Sequence, residues 1–401
     1  MSYSPRILQY FGSIETADGS AEAMLCIDDD RPHDFMFHLW GHGADPVGFL
    51  ATPFADGEGA INVRPQTMFV RAANGSLYPD SAKTGDLDGF TANLRRTKAG
   101  FAGSWSHVDG RGGRVLLSEG PHGHELIAES CETWDQFKTW AVRARQSLDA
   151  VLFRGHGSNK FRLQTTLHRA GRTRLDRYCA EILPAFHAQV EAVLGLKLDM
   201  TDGRDYALVM GLAQHHGLPT PLLDWSESPY IAAFFAFSDA LEYASARTDV
   251  THVRVLSLAR DFVDVSSPPT VVLEYATPYV ACLAIPPRLN PRLQAQQGRF
   301  LVTNIADVQR WFGKAQKQVD ESFLHAIDIP VECAREALED LKFMGVTAAT
   351  MFPGLDGVSR KLRHEMAFSR PPIRSAGLPA EAAAPLQPEH AAGTSGPDEK
   401  E

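Results

Sequence analysis

The run Gln-His-His-Gly-Leu-Pro-Thr-Pro-Leu-Leu-Asp-Trp at residues 214–225 constrains the fold of this 401-residue chain more than any other stretch. Proline lacks the N–H that a helix interior or a central strand needs, and glycine commonly ends a helix. The run therefore predicts a helix over residues 205–215 that ends at Gly217, followed by a turn. Turns that carry His, Thr, Asp and Trp on a rigid scaffold are common places for functional sites.

The overall composition predicts a globular protein. Apolar residues make up 44% of the chain and charged residues 22%, and the length is enough for two domains with cores of their own. The formal net charge of −10 argues against broad coating of nucleic acid. The five cysteines form no Cys-x-x-Cys pair, which is typical of free thiols in a reducing cytosol. Because the sequence shows no apolar signal core and no apolar run that could span a membrane, we expect a cytoplasmic protein.

The chain divides into three predicted regions, which together predict an α+β fold. Residues 1–129 are β-rich, because short alternating runs and the turn dipeptides Asn-Gly at 74–75 and Asp-Gly at 109–110 predict a small antiparallel sandwich or barrel. Residues 130–375 alternate helical and strand patterns and predict a mixed α+β domain. Residues 376–401 hold five acids and one base among many Ala, Pro and Gly residues, which predicts a disordered acidic tail.

The second region opens on a helical pattern of aromatic residues. Trp134, Phe137 and Trp140 recur at three-residue steps, so they predict the buried face of a helix that starts at Glu132 or Thr133. Further predicted elements are helices over residues 176–196 and 229–237, and strands over residues 151–155, 252–256, 271–275 and 299–302.

The residue types at one predicted strand end point to a phosphate-binding site. Arg154 has a planar guanidinium, which grips a phosphate or carboxylate through two parallel hydrogen bonds. Gly155 has no side chain and would let a ligand approach the backbone closely. Six further bases lie between residues 155 and 177 against one acid, Asp176, and we expect these outlying bases to form a solvated surface.

A second group of candidate residues stands where the helix over residues 205–215 ends. Adjacent helical residues point about 100° apart, so one of His215 and His216 is expected to face the site beside Gln214 while the other packs. Asp224 is expected either to orient a histidine or to cap the next helix. No spacing typical of metal ligands, such as His-Glu-x-x-His, occurs in the chain, so we predict no metal.

Several segments occur in an order that is typical of one family: residues 153–155, 213–225, 296–300, 329–330 and 344–357. They resemble the FRG domain, a bacterial family named after its Phe-Arg-Gly motif, and the resemblance extends over residues 132–365. Where that family usually has Tyr and Arg, this chain has His216 and Pro221.

The order of the elements also resembles the mono-ADP-ribosyltransferase fold. In that fold an early Arg holds the phosphates of NAD, a later Ser or Thr holds a ribose or the nicotinamide amide, and a late Glu stabilises the cationic sugar. This chain has Gln297 in the late motif, and Glu274 is the acid that we nominate in its place. The resemblance implies NAD as the cofactor, Arg154, His215, Thr220, Gln297 and Glu274 as catalytic residues, and Arg154, Gly155, Gln214, His216, Thr220 and Asp224 as cofactor-binding residues.

The leading hypothesis is a bacterial FRG-domain protein that binds NAD or another nucleotide and transfers ADP-ribose to a protein or nucleic acid, in phage defence or a toxin system. The alternative is a non-catalytic module that recognises a nucleotide, a nucleic acid or a protein. A third hypothesis is a hydrolase that uses Ser158 or Ser226 with the histidines and Asp224, although no Gly-x-Ser-x-Gly elbow occurs. Neither a Gly-x-Gly-x-x-Gly nor a P-loop spacing supports another nucleotide fold.

Overall fold

The structure is a computed structural model that describes residue 6 and residues 8–16, 19–41, 43–55, 60–120, 126–243, 249–267 and 272–368. The predicted tail over residues 376–401 lies outside the described residues, so that prediction is untested. No helix among the described residues is long and apolar enough to cross a membrane.

The first region is a closed antiparallel barrel. Its elements are β1 (Leu8–Thr16), β2 (Gly19–Ile27), β3 (Phe35–Gly41), β4 (Ala44–Ala55), β5 (Ala60–Arg71), β6 (Leu77–Pro79), α1 (Ser81–Thr84), a 3-10 turn (Gly85–Leu87), β7 (Phe90–Arg96), β8 (Gly100–His107) and β9 (Gly112–Glu119). Eight strands pair in the order β4-β3-β2-β1-β9-β8-β7-β5, and pairing of β4 with β5 closes the ring. Short strand β6 pairs with β5 outside that ring. The expectation of an antiparallel sandwich or barrel is thus confirmed as a barrel.

The two turn dipeptides form the predicted hairpins. Gly75 (φ +90°) lies between β5 and β6, and Gly110 (φ +91°) lies between β8 and β9. Both glycines adopt the left-handed backbone that other residues rarely accept. The Asn74 side-chain oxygen accepts a hydrogen bond from the Ser76 N–H at 3.0 Å, which fixes the first turn.

The second region is built on a seven-stranded sheet. Its strands are β10 (Glu129–Ser130), β11 (Ala150–His156), β12 (Leu222–Ser226), β13 (His252–Ala259), β14 (Val280–Leu283), β15 (Gly298–Thr303) and β16 (Leu324–Pro330). They lie in the order β10-β16-β13-β11-β12-β15-β14. The β10–β16 pair is parallel and the other pairs are antiparallel.

Helices surround this sheet. They are α2 (Trp134–Ser147), α3 (Thr166–Arg169), α4 (Leu175–Arg177), α5 (Leu183–Leu194), α6 (Gly203–His215), α7 (Pro229–Glu242), α8 (Arg260–Val265), α9 (Pro291–Ala295), α10 (Val308–Val319), α11 (Ala334–Phe343), α12 (Ala348–Met351) and α13 (Leu355–Phe368). A π-helical segment (Tyr178–Ile182) joins α4 to α5, and a 3-10 turn (Val331–Cys333) precedes α11. The mixed α+β prediction for this region is confirmed.

Most of the predicted elements occur where the patterns placed them. Helix α2 begins after Thr133, whose side chain accepts the Gln136 N–H, and its aromatic stripe is buried. Helix α7 begins after Ser228, which caps it, so the expectation that Asp224 caps this helix is wrong. The strand predicted over residues 271–275 is also wrong for its described part, because that segment docks on β6 of the barrel: Leu77 N–H donates to the Glu274 carbonyl at 2.7 Å.

The apolar cores of the barrel and of the second region are not fully separate from each other. The barrel has an apolar interior of its own, and α2, α7 and α11 pack on one face of the second sheet around Phe153 and Val255. A further apolar cluster joins barrel residues such as Met24 and Met36 to sheet residues such as Leu256. We call this boundary between the barrel and the second sheet the seam. The division at residues 129 and 130 therefore remains a prediction about folding, and the seam shows that the two parts also share a core.

Candidate functional site

A cleft opens where two neighbouring strands of the second sheet separate. Strands β11 and β12 share only one pair of residues, Phe153 and Ser226, among those that the structure describes. The gap beside this pair is a cleft of about 890 Å³. Its walls come from β11 and the loop after it, the end of α6, helix α7, helix α9 and the start of β15. A break in a sheet ladder leaves backbone groups that side chains or ligands must satisfy.

Arg154 lies at the centre of the cleft. Its Nη1 donates to the Asp224 carbonyl oxygen on β12, and its Nε donates to His156 Nε2 at 3.2 Å. A guanidinium has five N–H donors, so three remain without a partner among the described residues. The side chain is 16% exposed, and burial lowers the pKa of Arg154. A desolvated cation with free donors attracts an anion much more strongly than a surface arginine does.

His156 holds the Arg154 guanidinium in place. Both residues stand on the same face of β11, because side chains of a strand alternate between faces. Burial, and next the charge of Arg154, hold the pKa of His156 well below its usual value. The imidazole is therefore neutral and its Nε2 accepts the Arg154 hydrogen bond. Sequence reasoning missed His156, although the two-residue spacing from Arg154 was a signal that could have indicated it.

A chain of side-chain hydrogen bonds fixes the wall opposite β11. Thr220 Oγ1 donates to Gln214 Oε1, and Gln214 Nε2 donates to Asp224 Oδ2 at 2.7 Å. The Thr220 hydroxyl also accepts the Leu222 N–H at 3.3 Å, which orients it as a donor toward Gln214. The amide of Gln214 thereby has one orientation and fixes the Asp224 carboxylate. The Asp224 side chain is 58% exposed, so its free oxygen is accessible from the cleft.

Basic side chains dominate the cleft although the whole chain is acidic. Six bases and two acids line it, against a net charge of −10 for the protein. Arg169 lies close enough to Arg154 to lower its pKa further, and the two like charges repel each other until an anion lies between them. The six bases are Arg154, Lys160, Arg162, Arg169, Arg292 and Arg299, and the two acids are Asp224 and Asp239.

The expectation that the outlying bases after Arg154 form a solvated surface is met by Lys160 and Arg162, which are 59% and 63% exposed, and is wrong for Arg174 and Arg177, which are buried. Lys160, Arg162 and Arg169 line the cleft. The bases further along pair with barrel carboxylates across the seam, and Arg177 Nη1 meets Asp28 Oδ2 at 2.6 Å. The seven bases against one acid in this short segment were thus a signal of two functions, one in the cleft and one at the seam.

Gly155 has a different role from the predicted one. A Cβ added there would stand 1.9 Å from the Ala232 carbonyl oxygen and 2.8 Å from the Ala236 nitrogen of α7. The missing side chain therefore lets α7 approach β11 closely, on the face opposite to the Arg154 side chain. Gly155 contributes backbone to the cleft wall, but the space that its missing side chain leaves is filled by helix α7.

The two adjacent histidines separate as helical geometry predicts. His215 lines the cleft, and burial together with Arg292 lowers its pKa. His216 is exposed, and its ring contacts that of His215 at 4.8 Å between centroids. Among the described residues neither histidine hydrogen-bonds Asp224, which takes the Gln214 amide instead. The expected carboxylate–imidazole pair is therefore wrong.

Four predicted site residues lie away from the cleft surface, and one of them is the exposed His216. Thr220 is fully buried behind Gln214 and acts only through it. Gln297 is an exposed turn residue (φ +48°) whose carbonyl accepts the Glu227 N–H at 3.0 Å, while its neighbours Gln296 and Gly298 line the cleft. Glu274 lines two other cavities, at the seam. The cleft therefore brings together Arg154, Gly155, Gln214, His215 and Asp224 of the predicted set.

Neither metal chemistry nor a serine triad finds support in the described residues. No group of three or more His, Cys, Asp or Glu side chains among them could hold a metal ion. Ser226 Oγ donates to the Gln296 carbonyl at 2.8 Å, and Ser158 is buried with its Oγ on the Lys160 N–H. No imidazole hydrogen-bonds either hydroxyl in that part of the chain, so the hydrolase hypothesis lacks an activated nucleophile.

An aromatic corner lies at the far end of the cleft from the loop after β11. Phe235 and Phe352 meet edge to face at 5.8 Å between ring centroids. The Arg292 guanidinium lies 5.5 Å from the Phe352 centroid and that of Arg360 lies 4.7 Å from it. Aromatic faces beside arginines suit a flat, electron-rich ring such as a nucleobase. No local sequence signal indicated this corner, because Phe235 lies in α7 and Phe352 directly follows α12.

The cleft is defined by a split antiparallel sheet that presents a largely buried arginine. Residues 149–245 match the model of the FRG domain. The matched segment includes β11, β12, α6 and α7, which carry most of the cleft. The wider resemblance over residues 132–365 remains a prediction outside the matched segment. No curated protein and no solved structure matches the chain.

Proposed function

We propose that the cleft binds a nucleotide through its phosphates, with NAD as the first candidate, and that the protein transfers ADP-ribose from NAD to a protein or nucleic acid. One observation carries the proposal: Arg154 is desolvated, keeps three free N–H donors and lies beside a second arginine in an otherwise acidic protein. Such an arrangement stabilises a pyrophosphate far better than it stabilises water.

The cleft offers complementary places for the other parts of a dinucleotide. The aromatic corner of Phe235 and Phe352 lines the same cleft as Arg154 and suits a base. Asp224 lies next to Arg154, with Nη1 4.0 Å from Oδ2, so its free oxygen can reach a ribose hydroxyl of a ligand whose phosphates Arg154 holds.

Asp224 is the carboxylate that we assign to the transfer step. When the glycosidic bond of NAD breaks, nicotinamide leaves with the bonding electrons and the ribose C1′ becomes cationic. Asp224 would stabilise this cation, and an acceptor oxygen or nitrogen would then bond to C1′ and lose its proton. Gln214 would keep the carboxylate in position through its hydrogen bond at 2.7 Å. Glu274 is not available for this step because it lies at the seam.

The biological setting in this proposal rests on the family alone. The FRG resemblance favours a bacterial cytoplasmic protein that modifies a macromolecule in phage defence or in a toxin system. The second candidate function is recognition of a nucleotide without transfer. It is favoured by the position of Gln297, an uncharged residue that is exposed in a turn outside the cleft.

The test measures binding and transfer separately. Isothermal titration of NAD, ADP-ribose and ADP into the wild-type protein is compared with titration into Arg154→Lys, which keeps the charge and loses the two-pronged geometry. We expect about 10- to 100-fold weaker binding in that variant. Arg260→Lys, at an exposed ion pair with Asp149, is the matched control and is expected to bind as the wild type does.

Transfer is then followed with labelled NAD in cell extract for the wild type and Asp224→Asn. Loss of label transfer in Asp224→Asn, with NAD affinity kept within about threefold, supports the transferase. Nucleotide binding without label transfer by the wild type supports the recognition module. Absence of binding for all three nucleotides would reject both functions.

A further inference from the structure

A second cavity lies at the seam, away from the cleft. It has a volume of about 680 Å³ and is formed by strands β4, β5 and β6 of the barrel on one side and by α4 with the π-helical segment on the other. A narrow inner cavity adjoins it, and Phe69, Leu77, Asp176 and Glu274 line both. The seam cavity is therefore enclosed by both parts of the chain.

The charged residues that line the seam cavity are paired, with one exception. Arg31 meets Glu181 at 3.3 Å, Arg177 meets Glu181 at 3.2 Å, and Arg174 pairs with both Asp176 and Asp34. Glu274 differs from all of them. Among the described residues no cation lies within 4.0 Å of its carboxylate and no group donates a hydrogen bond to it.

Glu274 faces groups that do not compensate its charge. Burial, and next the charge of Asp176 on α4, raise the pKa of Glu274 to about 7. Cys179 on the π-helical segment, Tyr206 on α6 and Tyr279 lie near enough for Glu274 to raise their pKa values. An unpartnered buried carboxylate costs free energy, so it is retained where something else meets it.

A second unpartnered polar atom lines the inner cavity. His38 on β3 is 9% exposed, and its Nδ1 has no hydrogen-bond partner among the described residues. Burial lowers the pKa of His38 to about 4, so the imidazole is neutral. A neutral imidazole can accept a hydrogen bond from a donor that also meets Glu274.

The remaining walls determine the chemistry of the occupant. Leu50, Phe69, Leu77 and Tyr78 form an apolar barrel wall beside Glu274. A carboxylate facing an apolar wall suits a cation on an apolar body, and it repels phosphates and carboxylates. No described cluster of His, Cys, Asp or Glu could hold a metal there.

We propose that the seam cavity is a second ligand site, independent of the cleft, that binds a small organic amine through Glu274. The protonated amine donates to the Glu274 carboxylate and its apolar or aromatic body lies against Phe69 and Leu77. Because the site joins the barrel to the FRG domain, its ligand stabilises the docking of one on the other.

The test uses three amines as probes: tryptamine, phenethylamine and agmatine. Each is titrated calorimetrically into the full chain at about pH 8, where Glu274 is ionised, up to about 10 mM. Tryptophol, which has a hydroxyl in place of the tryptamine amine, is the matched neutral probe. We expect saturable binding of one amine per chain for at least one probe, and at least about tenfold weaker binding of the neutral counterpart.

Two variants assign the binding to this cavity. Glu274→Gln removes the charge with little change of volume and is expected to weaken the amine by at least about tenfold, while Glu336→Gln on α11 is the control and is expected to bind as the wild type does. Circular dichroism checks that each variant is folded. The proposal is overturned if no amine binds saturably, if tryptophol binds as well as tryptamine, or if folded Glu274→Gln keeps the wild-type affinity.

Discussion

One basic segment supplies arginines to both the cleft and the seam, and these arginines have different partners in the two regions. At the seam, Arg174 and Arg177 are each buried against carboxylates, and both are at most 6% exposed. In the cleft, the Arg154 side chain is 16% exposed and meets a carbonyl and an imidazole, and its closest carboxylate oxygen is 4.0 Å away. The difference shows that pairing, rather than burial, separates a structural arginine from one that is available to a ligand.

Two carboxylates of the seam show the same contrast between a paired and an unpaired charge. Asp28 at the seam accepts hydrogen bonds from the Thr173 N–H at 2.8 Å, the Arg174 N–H at 3.0 Å and Arg177 Nη1. Glu274, also at the seam, accepts none among the described residues. Each region thus contains a charged group, Arg154 or Glu274, without an oppositely charged partner closer than 4.0 Å among the described residues, and these two groups are the centres of the two proposed sites.

The largest effect is expected from Asp28→Ala. The substitution leaves two backbone N–H groups without an acceptor and removes the most buried of the three carboxylates that Arg177 meets. Breaking such a buried pair typically costs about 3–5 kcal/mol. Urea unfolding should show that loss in the free energy of unfolding. Asp86→Ala, at an exposed pair with Lys83, is the control and should change it by less than about 1 kcal/mol. An equal effect of the two substitutions would show that the seam does not depend on its paired charges.

The next effect is expected behind the cleft, from Gly155→Ala. The new Cβ would stand 1.9 Å from a carbonyl oxygen of α7, so the helix must shift, at a cost of about 1–3 kcal/mol. Because α7 also carries Phe235 of the aromatic corner, nucleotide affinity should fall as well. Gly85→Ala, where nothing lies within 4 Å of the new Cβ, is the control. Unchanged stability in Gly155→Ala would contradict the helix-packing role and favour the predicted one, in which the glycine lets a ligand approach the backbone.

The sequence predicts those structural elements that are specified by their own residues, and it does not predict those that depend on tertiary contacts. Periodicity and turn chemistry predicted α2, β11, α6 and the two hairpins, because each is specified by its own residues. The strand predicted over residues 271–275 failed because its described part pairs with the barrel, a contact that no local pattern encodes.

The candidate site shows the same limit. Arg154, Gln214, His215 and Asp224 were predicted from residue types at breaks in regular structure, and the cleft contains all four. Glu274 was nominated because the ADP-ribosyltransferase resemblance needs a late acid, whereas the chain path sends it to the seam. Arg292 and Phe352 reach the cleft from segments more than a hundred residues away from Arg154, so only the tertiary structure could reveal them.

A third prediction concerns the pH dependence of stability that Glu274 causes. Its pKa is about 7 in the folded protein and near 4.5 when unfolded, so between these values the folded state binds more protons. Stability from this group is therefore present at low pH and is lost as pH rises through about 7. We expect the stability of Glu274→Gln relative to the wild type to increase by about 1–2 kcal/mol between about pH 5 and pH 8, with allowance for partial solvent exposure. A difference that does not change with pH would mean that Glu274 has a partner.

The smallest effect on stability is expected from Arg154→Met, and it tests the comparison most directly. Burial and Arg169 both destabilise the Arg154 charge, so removing it relieves desolvation and repulsion while two hydrogen bonds are lost. These changes oppose each other, and we expect the free energy of unfolding to change by less than about 1 kcal/mol. Arg177→Met is the matched substitution at the seam, where Asp28 would lose its shortest ion pair, at a cost of about 3 kcal/mol. Thermal and urea unfolding of the two variants side by side would measure the difference. If Arg154→Met destabilises the protein as much as Arg177→Met does, Arg154 is a structural residue and the proposed site in the cleft lacks its anion-binding group.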